Sequence, residues 1–188
     1  MQFEGGVKLA IEMEGALIVA GNDSAAIVFE GSVPAAGHWD KIDIESASDS
    51  NVLSYVRVSH GGSDAGVVRA NVRIHSGARL KLAESTLTQS AGEGLRVETD
   101  GTWPATDAPY RVTGDVVLNA DVTVSPGAGF VVESSDATVI ETENALIAIG
   151  TAGERSTFLG EIASAGHWDG LDFRSADPSN QLSCVEVA

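Results

Sequence analysis

At 188 residues, 43% of them apolar, the chain can bury a sizeable core as one ordinary domain or one elongated repeat body. A formal net charge of −16, from 27 acidic against 11 basic residues, excludes a free polyanion such as DNA and an anionic membrane surface as partners. Cys184 is the single cysteine, so no intrachain disulfide forms, and no apolar run nears the roughly 18 residues of a membrane helix.

In chain order the apolar residues fall into short alternating runs. Val7–Ile11, Ala16–Val19 and Ala26–Phe29 read as strands closed by turns that carry Gly15, Gly21 and Gly31. A loop with Pro34 and Gly37 leads to Trp39. Lys41-Ile42-Asp43-Ile44-Glu45 alternates strictly, which predicts a strand with Ile42 and Ile44 on the core side and Asp43 facing solvent. Val52–Val58 follows a polar turn. Further strands are expected at Val72–Ile74, Arg79–Leu82, Ser85–Thr88 and Leu95–Glu98. Trp103 to Pro109 is the most linker-like piece. Strands resume at Arg111-Val112, Asp115–Leu118, Asp121–Val124 and Gly129–Val132. The total is about eighteen short strands, and amphipathic spacing that would support a helix of ten or more residues is absent. Hairpin dipeptides are nearly absent as well, Asp100-Gly101 being the one case. Meanders and sandwiches need hairpins; a coil that always turns the same way does not, and its successive turns cover one another.

The chain also repeats itself. Phe3–Val58 lies over Val132–Val187 at a constant shift of 129 residues (Val132 against Phe3), without a gap and with roughly two fifths of the positions identical. Gly37-His38-Trp39-Asp40 recurs as Gly166-His167-Trp168-Asp169. Positions apolar in both copies mark the interior: Leu17, Phe29, Ile42, Ile44, Leu53, Val56 and Val58, with Leu146, Phe158, Leu171, Phe173, Leu182, Val185 and Val187. Val52 pairs with Gln181, so that position need not be buried. From Leu53 to Val56 is a step of three, which no strand makes on one face without a bend; Tyr55 and Cys184 sit at that bend.

Three stretches carry a resemblance. Pro109–Leu118 followed by Asp121–Ala128, Ala145–Phe158 followed by Gly166–Phe173, and Asn51–Gly62 are similar to segments of the right-handed parallel β-helix (pectate-lyase-like) domains of bacterial secreted and surface proteins. The resemblance implies an all-β fold, a right-handed parallel β-helix of about six coils with little or no helix. It implies two stacked parts, residues 1–108 as the C-terminal part of one β-helix unit and residues 109–188 as the start of the next. It is specific for fold and unspecific for function. Neither terminus carries a recognisable cap and Met1–Glu4 begins inside the repeat pattern, so an excised fragment without its signal peptide is expected, from an extracellular or cell-surface protein.

Candidate sites are weighed against structural roles. Trp39 and Trp168 could stack on sugars but suit a packed corner of the coil. His38, Asp40 and Asp43, and their copies His167, Asp169 and Asp172, could hold a metal; Asp40 also suits a turn. His60 and His75 are single residues near strand ends. Arg57, Arg69, Arg73, Arg79 and Arg96 are expected outward, with Arg73 and Arg79 near Glu84 a weak case for a lyase-like site. Thr86-Leu87-Thr88 is the one Thr-x-Thr, too little for an ice-binding array. No catalytic and no metal residue is assigned, no binding residue is identified, and calcium is the one cofactor considered. The expected function is a non-catalytic structural or adhesive module; a carbohydrate-binding or polysaccharide-degrading domain is the alternative. Expected partners are polysaccharides, other surface proteins and, through the chain ends, further copies of the chain, without nucleic acid and without membrane insertion.

Overall fold

The computed structural model describes residues 1–63, 68–103, 105, 109–112, 114–132 and 138–188, the side chain of residue 111 excepted. The linker expected over Trp103 to Pro109 falls largely on Pro104 and Thr106–Ala108, which lie outside the described residues, as does Thr113 of the opening signature. Among the described residues the fold is all-β, with 22 short strands and no helix.

With strands numbered in chain order, the largest sheet has seven: β2 (Leu9–Ile11), β5 (Ile42–Ile44), β8 (Ala70–Ile74), β11 (Glu93–Val97), β14 (Val116–Leu118), β17 (Val139–Thr142) and β20 (Gly170–Phe173). A second sheet joins β1 (Gln2–Phe3), β4 (Ile27–Gly31), β7 (Val56–Ser59) and β10 (Thr86–Thr88). A third joins β3 (Ile18–Ala20), β6 (Val52–Ser54) and β9 (Lys81–Ala83). The last two are β12 (Gly101–Trp103), β15 (Val122–Val124), β18 (Leu146–Ile149), β21 (Gln181–Ser183), and β13 (Tyr110–Val112), β16 (Gly129–Val132), β19 (Ser156–Gly160), β22 (Val185–Val187).

Within each sheet every strand pairs, in parallel, with the strand three elements further on. Parallel pairing in register puts equivalent positions of successive strands in columns about 4.8 Å apart. The inward columns form the core. Ile42 stands between Leu9 and Val72, and Phe130 between Tyr110 and Phe158. The Phe130 and Phe158 rings stack at 4.7 Å and 4°, the separation the strand spacing imposes. Asp100-Gly101 makes no hairpin, since Gly101 opens β12 and pairs with Val122.

The corners are where the sequence reading succeeds best. Tyr55 and Cys184 both adopt the left-handed region, φ 51° and 50°, between β6 and β7 and between β21 and β22. Glu84 does the same at φ 47° between β9 and β10. Such a residue turns the chain within one position and allows the step of three from Leu53 to Val56, both buried. The strands paired with these on the N-terminal side pass close by. A Cβ on Gly21 would lie 2.6 Å from the Tyr55 carbonyl, and one on Gly150 would run into the Cys184 carbonyl. Glycine is therefore required at both, 129 residues apart. Asn51 is a second fixture: its side-chain N–H groups donate to the Ser46 and Arg79 carbonyls while its Oδ1 accepts from Leu17.

The core expectation holds for Phe29, Ile42, Ile44, Leu53, Val56, Val58, Leu146 and Phe158, all buried. It fails in part elsewhere. Leu17, Leu171 and Val185 are half-buried, and Phe173, Leu182 and Val187 are 37%, 43% and 46% exposed. The five of these positions other than Leu17 lie in β20, β21 and β22, whose outer edges have no further strand on them among the described residues. A repeat predicts which way a side chain points, not whether something lies over it.

Phe158→Ala should lower unfolding free energy by about 3–5 kcal/mol in denaturant titration. Gly150→Ala should destabilise by more than about 1 kcal/mol, while Gly153→Ala, with open space around it, should stay within about 0.5 kcal/mol of the parent. Equal effects of the two glycine substitutions would contradict the close approach at the corner.

Candidate functional site

The outer face of the seven-stranded sheet gathers most of the interacting charge. Register places Ala10, Asp43, Arg73, Arg96, Val117, Glu141 and Asp172 in one column. The position two residues on forms a second column with Glu45, His75, Glu98, Glu143 and Arg174, because side chains two apart share a face.

Three clusters fill these columns. At β2, β5 and β8 the Lys8 Nζ donates to Asp43 Oδ2 at 2.9 Å, and His75 Nε2 lies 2.7 Å from Asp43 Oδ1 and 4.0 Å from Glu45 Oε1. At β8 and β11, Arg73 and Arg96 both donate to Glu98, at 2.8 and 3.0 Å. At β17 and β20, Arg174 joins Glu141 at 2.8 Å to Asp172 at 3.0 Å. Two arginines in adjacent strands would repel, and so would Glu141 and Asp172; in each case a side chain of opposite sign in the second column bridges them.

Asp43 faces outward as expected but not into solvent. Its side chain is 4% exposed, covered by Lys8 and His75. Burial raises the cost of its charge, and hydrogen bonds from Lys8 and His75 outweigh this and hold its pKa below the ordinary 3.8. Glu98 behaves alike: burial raises it and the Arg73 and Arg96 bonds bring it below 4.5. Glu141 goes the other way, raised by burial and by its hydrogen bond with Glu143, against the pull of Arg174.

The other expected groupings come apart. His38 Nε2 meets Ser32 Oγ at 3.0 Å, and Asp40, expected in a turn, is buried with Lys41 Nζ 2.6 Å away, so neither joins Asp43. In the second copy His167 Nε2 donates to the Val132 carbonyl, Asp169 is exposed and Asp172 belongs to Arg174. Trp39 is fully buried, stacks on Phe3 at 4.2 Å and donates Nε1–H to the Ser59 carbonyl; Trp168 does the same to Ala188, as the repeat requires. The sugar-stacking platform is thereby removed at Trp39. His60 is buried at a left-handed corner, φ 66°. Arg57, Arg69 and Arg79 are exposed, whereas Arg73 and Arg96 are half-buried in the ion network. Arg73 goes to Glu98 and Arg79 to Asp49, so the pairing with Glu84 does not form.

The grouping that sequence reading missed is Asp43, Glu45 and His75, whose ligand-type atoms lie within 4.8 Å of one another. Asp43 and His75 are 32 residues apart and meet only through the register of β5 with β8. Carboxylate and imidazole suit a divalent cation in principle. Both Asp43 oxygens are already bonded, one to Lys8 and one to His75, so the cluster as built ties three strands together.

A second candidate is an apolar cavity of about 350 Å3 where β9 and β10 face β12 and β13 without pairing. Leu82, Leu87, Leu95, Trp103, Tyr110 and Phe130 line it, with Lys81 and Glu84 as its charged residues among those described. No family model, no curated protein and no solved structure is matched by this chain.

The shifts set a pH dependence. Asp43 and Glu98, with depressed values in the folded state, contribute stability that is present above their ordinary pKa of 3.8 and 4.5 and is lost as pH falls through the folded values. Glu141, raised, opposes folding when ionised and is relieved as pH falls through its folded value. Asp43→Asn should cost about 1–3 kcal/mol at neutral pH and flatten the acid limb of stability measured by urea titration. An acid limb as steep as that of the parent chain would show that Asp43 does not carry it.

Proposed function

We propose that this chain is a non-catalytic structural or adhesive module, built as a right-handed parallel β-helix, of a secreted or cell-surface bacterial protein. Third-neighbour parallel pairing supports the β-helix: the 21 strands from β2 to β22 fall into seven successive triplets, one more than the expected six coils. Right-handedness follows the strong rule for parallel crossover connections. Among the described residues β9 does not pair with β12, nor β10 with β13, while β11 to β14 carries the large sheet across; because β12 pairs with β15, this change of sheets falls ahead of the proposed division at residues 108 and 109.

The observation that carries the non-catalytic reading is the mutual pairing of the outer-face charges. Lys8, Asp43 and His75 hold one another, as do Arg73, Arg96 and Glu98, and Arg174, Glu141 and Asp172. An acid–base pair for polysaccharide cleavage needs a group free to exchange a proton with substrate. These groups are engaged in tying neighbouring strands together.

Incubation with pectin, pectate and alginate, with and without calcium, should yield no unsaturated or reducing ends above a heat-denatured control. New ends that disappear in the Asp43→Asn or Glu141→Gln variant would overturn the reading in favour of a polysaccharide-degrading domain.

A further inference from the structure

Two sheets end at β9 and β10 and two others begin at β12 and β13, while the seven-stranded sheet runs on from β8 to β11. The apolar cavity of about 350 Å3 lies in that break. A second cavity, of about 450 Å3, shares Ile74, Leu80, Lys81, Thr102 and Trp103 with it. The second one is polar, with Ser48, Asp49, Asn51, Arg79, Thr99 and Asp100 in its wall. An apolar chamber thus opens into a polar mouth.

The space narrows away from the mouth. β9 and β12 both start at the polar end, since Arg79 and Leu80 lead into β9 and Thr99 and Asp100 into β12. Further in, a Cβ on Gly94 would lie 3.4 Å from the Leu87 carbonyl and one on Gly114 3.9 Å from it, so β10 closes that side. The Lys81 amide donates to the Asn51 carbonyl and the Gly101 amide to the Asp121 carbonyl, both away from the gap. Successive residues of a strand turn their backbone groups to opposite edges, so Leu82 and Thr102 turn theirs into it.

Interiors are packed with few voids larger than a water molecule, and a part-open apolar space of this size with a few polar groups is what a small-molecule site consists of. The walls indicate the ligand. Leu82, Leu87 and Leu95 offer aliphatic surface. Trp103, Tyr110 and Phe130 already pack on one another, with ring centroids 4.9 to 5.8 Å apart, which favours an alkyl chain over a further planar ring. At the mouth Arg79 is paired with Asp49 at 2.5 Å, and Asp100 accepts from the Asp121 amide at 3.0 Å. Lys81 has no carboxylate partner among the described residues. Glu84 lines the inner chamber alone and follows β9 at the end away from Lys81. A carboxylate is therefore drawn to the mouth and repelled from the far end.

We propose that the break between β9 and β12 is a binding site for an amphipathic monocarboxylate. A medium-length alkyl chain lies in the chamber, and its carboxylate meets Lys81 and the amides of Leu82 and Thr102. The inference goes beyond the structural role proposed above and rests on none of the ion clusters of the seven-stranded sheet.

Decanoate, titrated calorimetrically below its micelle concentration, should bind at a single site per chain. Lys81→Met should weaken decanoate about tenfold and leave 1-decanol within about twofold of the parent, because the neutral head forgoes the ion pair. The bromine of 10-bromodecanoate quenches an indole that it touches. It should quench the parent chain and lose that effect in Trp103→Phe, since Trp39 and Trp168 are buried away from the chamber. Leu82→Phe, which fills the chamber from its β9 wall, should abolish binding with the urea midpoint no lower than in the parent. Absence of decanoate binding, or binding unchanged by Lys81→Met and quenching unchanged by Trp103→Phe, would overturn the inference. So would loss of the decanoate site as protein concentration rises, which would give the opening to a second copy of the chain.

Discussion

Everything in this structure depends on in-register parallel pairing between a strand and the third strand after it. That single constraint turns the chain into columns. A position inside one strand must accept whatever stands at the same position above and below it, at the strand spacing of about 4.8 Å. Inside, the constraint is easily met, because like apolar residues stack well: Tyr110, Phe130 and Phe158 form one such column. Outside it is demanding, because like charges in a column repel. The seven-stranded sheet meets the demand with its second outward column, where Glu98 lies against two arginines and Arg174 against two carboxylates.

This accounts for the uneven use of charge. With 27 acids and 11 bases, acids outnumber cations by more than two to one. Lys8, Arg73, Arg96 and Arg174 are nevertheless gathered on one sheet face, where columns would otherwise bring carboxylates or guanidinium groups together unopposed. Asp43 shows the cost of such a column most clearly. It is shielded from water by its neighbours and stays ionised because Lys8 and His75 outweigh its burial. The same interdependence means that such a cluster can look like a metal or catalytic site by composition while serving to hold three strands in register.

The amino-acid sequence made the local part of this legible. The repeat, the bend at Tyr55 and Cys184, and the inward Leu53, Val56 and Val58 were all readable because each depends on a few adjacent residues. The partners of Asp43 and His75 were not. Successive column members are unevenly spaced: Leu9 to Ile42 is 33 residues, Ile42 to Val72 is 30, and Leu95 to Val116 is 21. Uneven turns leave no short period in the sequence, so the column that a given outward residue belongs to cannot be counted out. Asp43 could be assigned its face by alternation, but its shelter came from Lys8, 35 residues earlier, and His75, 32 residues later. The exposure of Leu182 and Val187 escaped for the converse reason, since alternation identifies a face and says nothing of its cover.

Cysteine cross-linking tests the register most directly. In a Cys184→Ser background, Ser54→Cys with Ala83→Cys joins two residues that face each other across β6 and β9, while Val52→Cys with Ala83→Cys is offset by two positions. Cross-strand partners lie within the separation a disulfide spans, and a two-residue offset does not. The account predicts rapid intramolecular cross-linking of the first pair under mild oxidation and little of the second. Equal cross-linking of both pairs, or preference for the offset pair, would contradict the third-neighbour register on which the columns and the ion clusters rest.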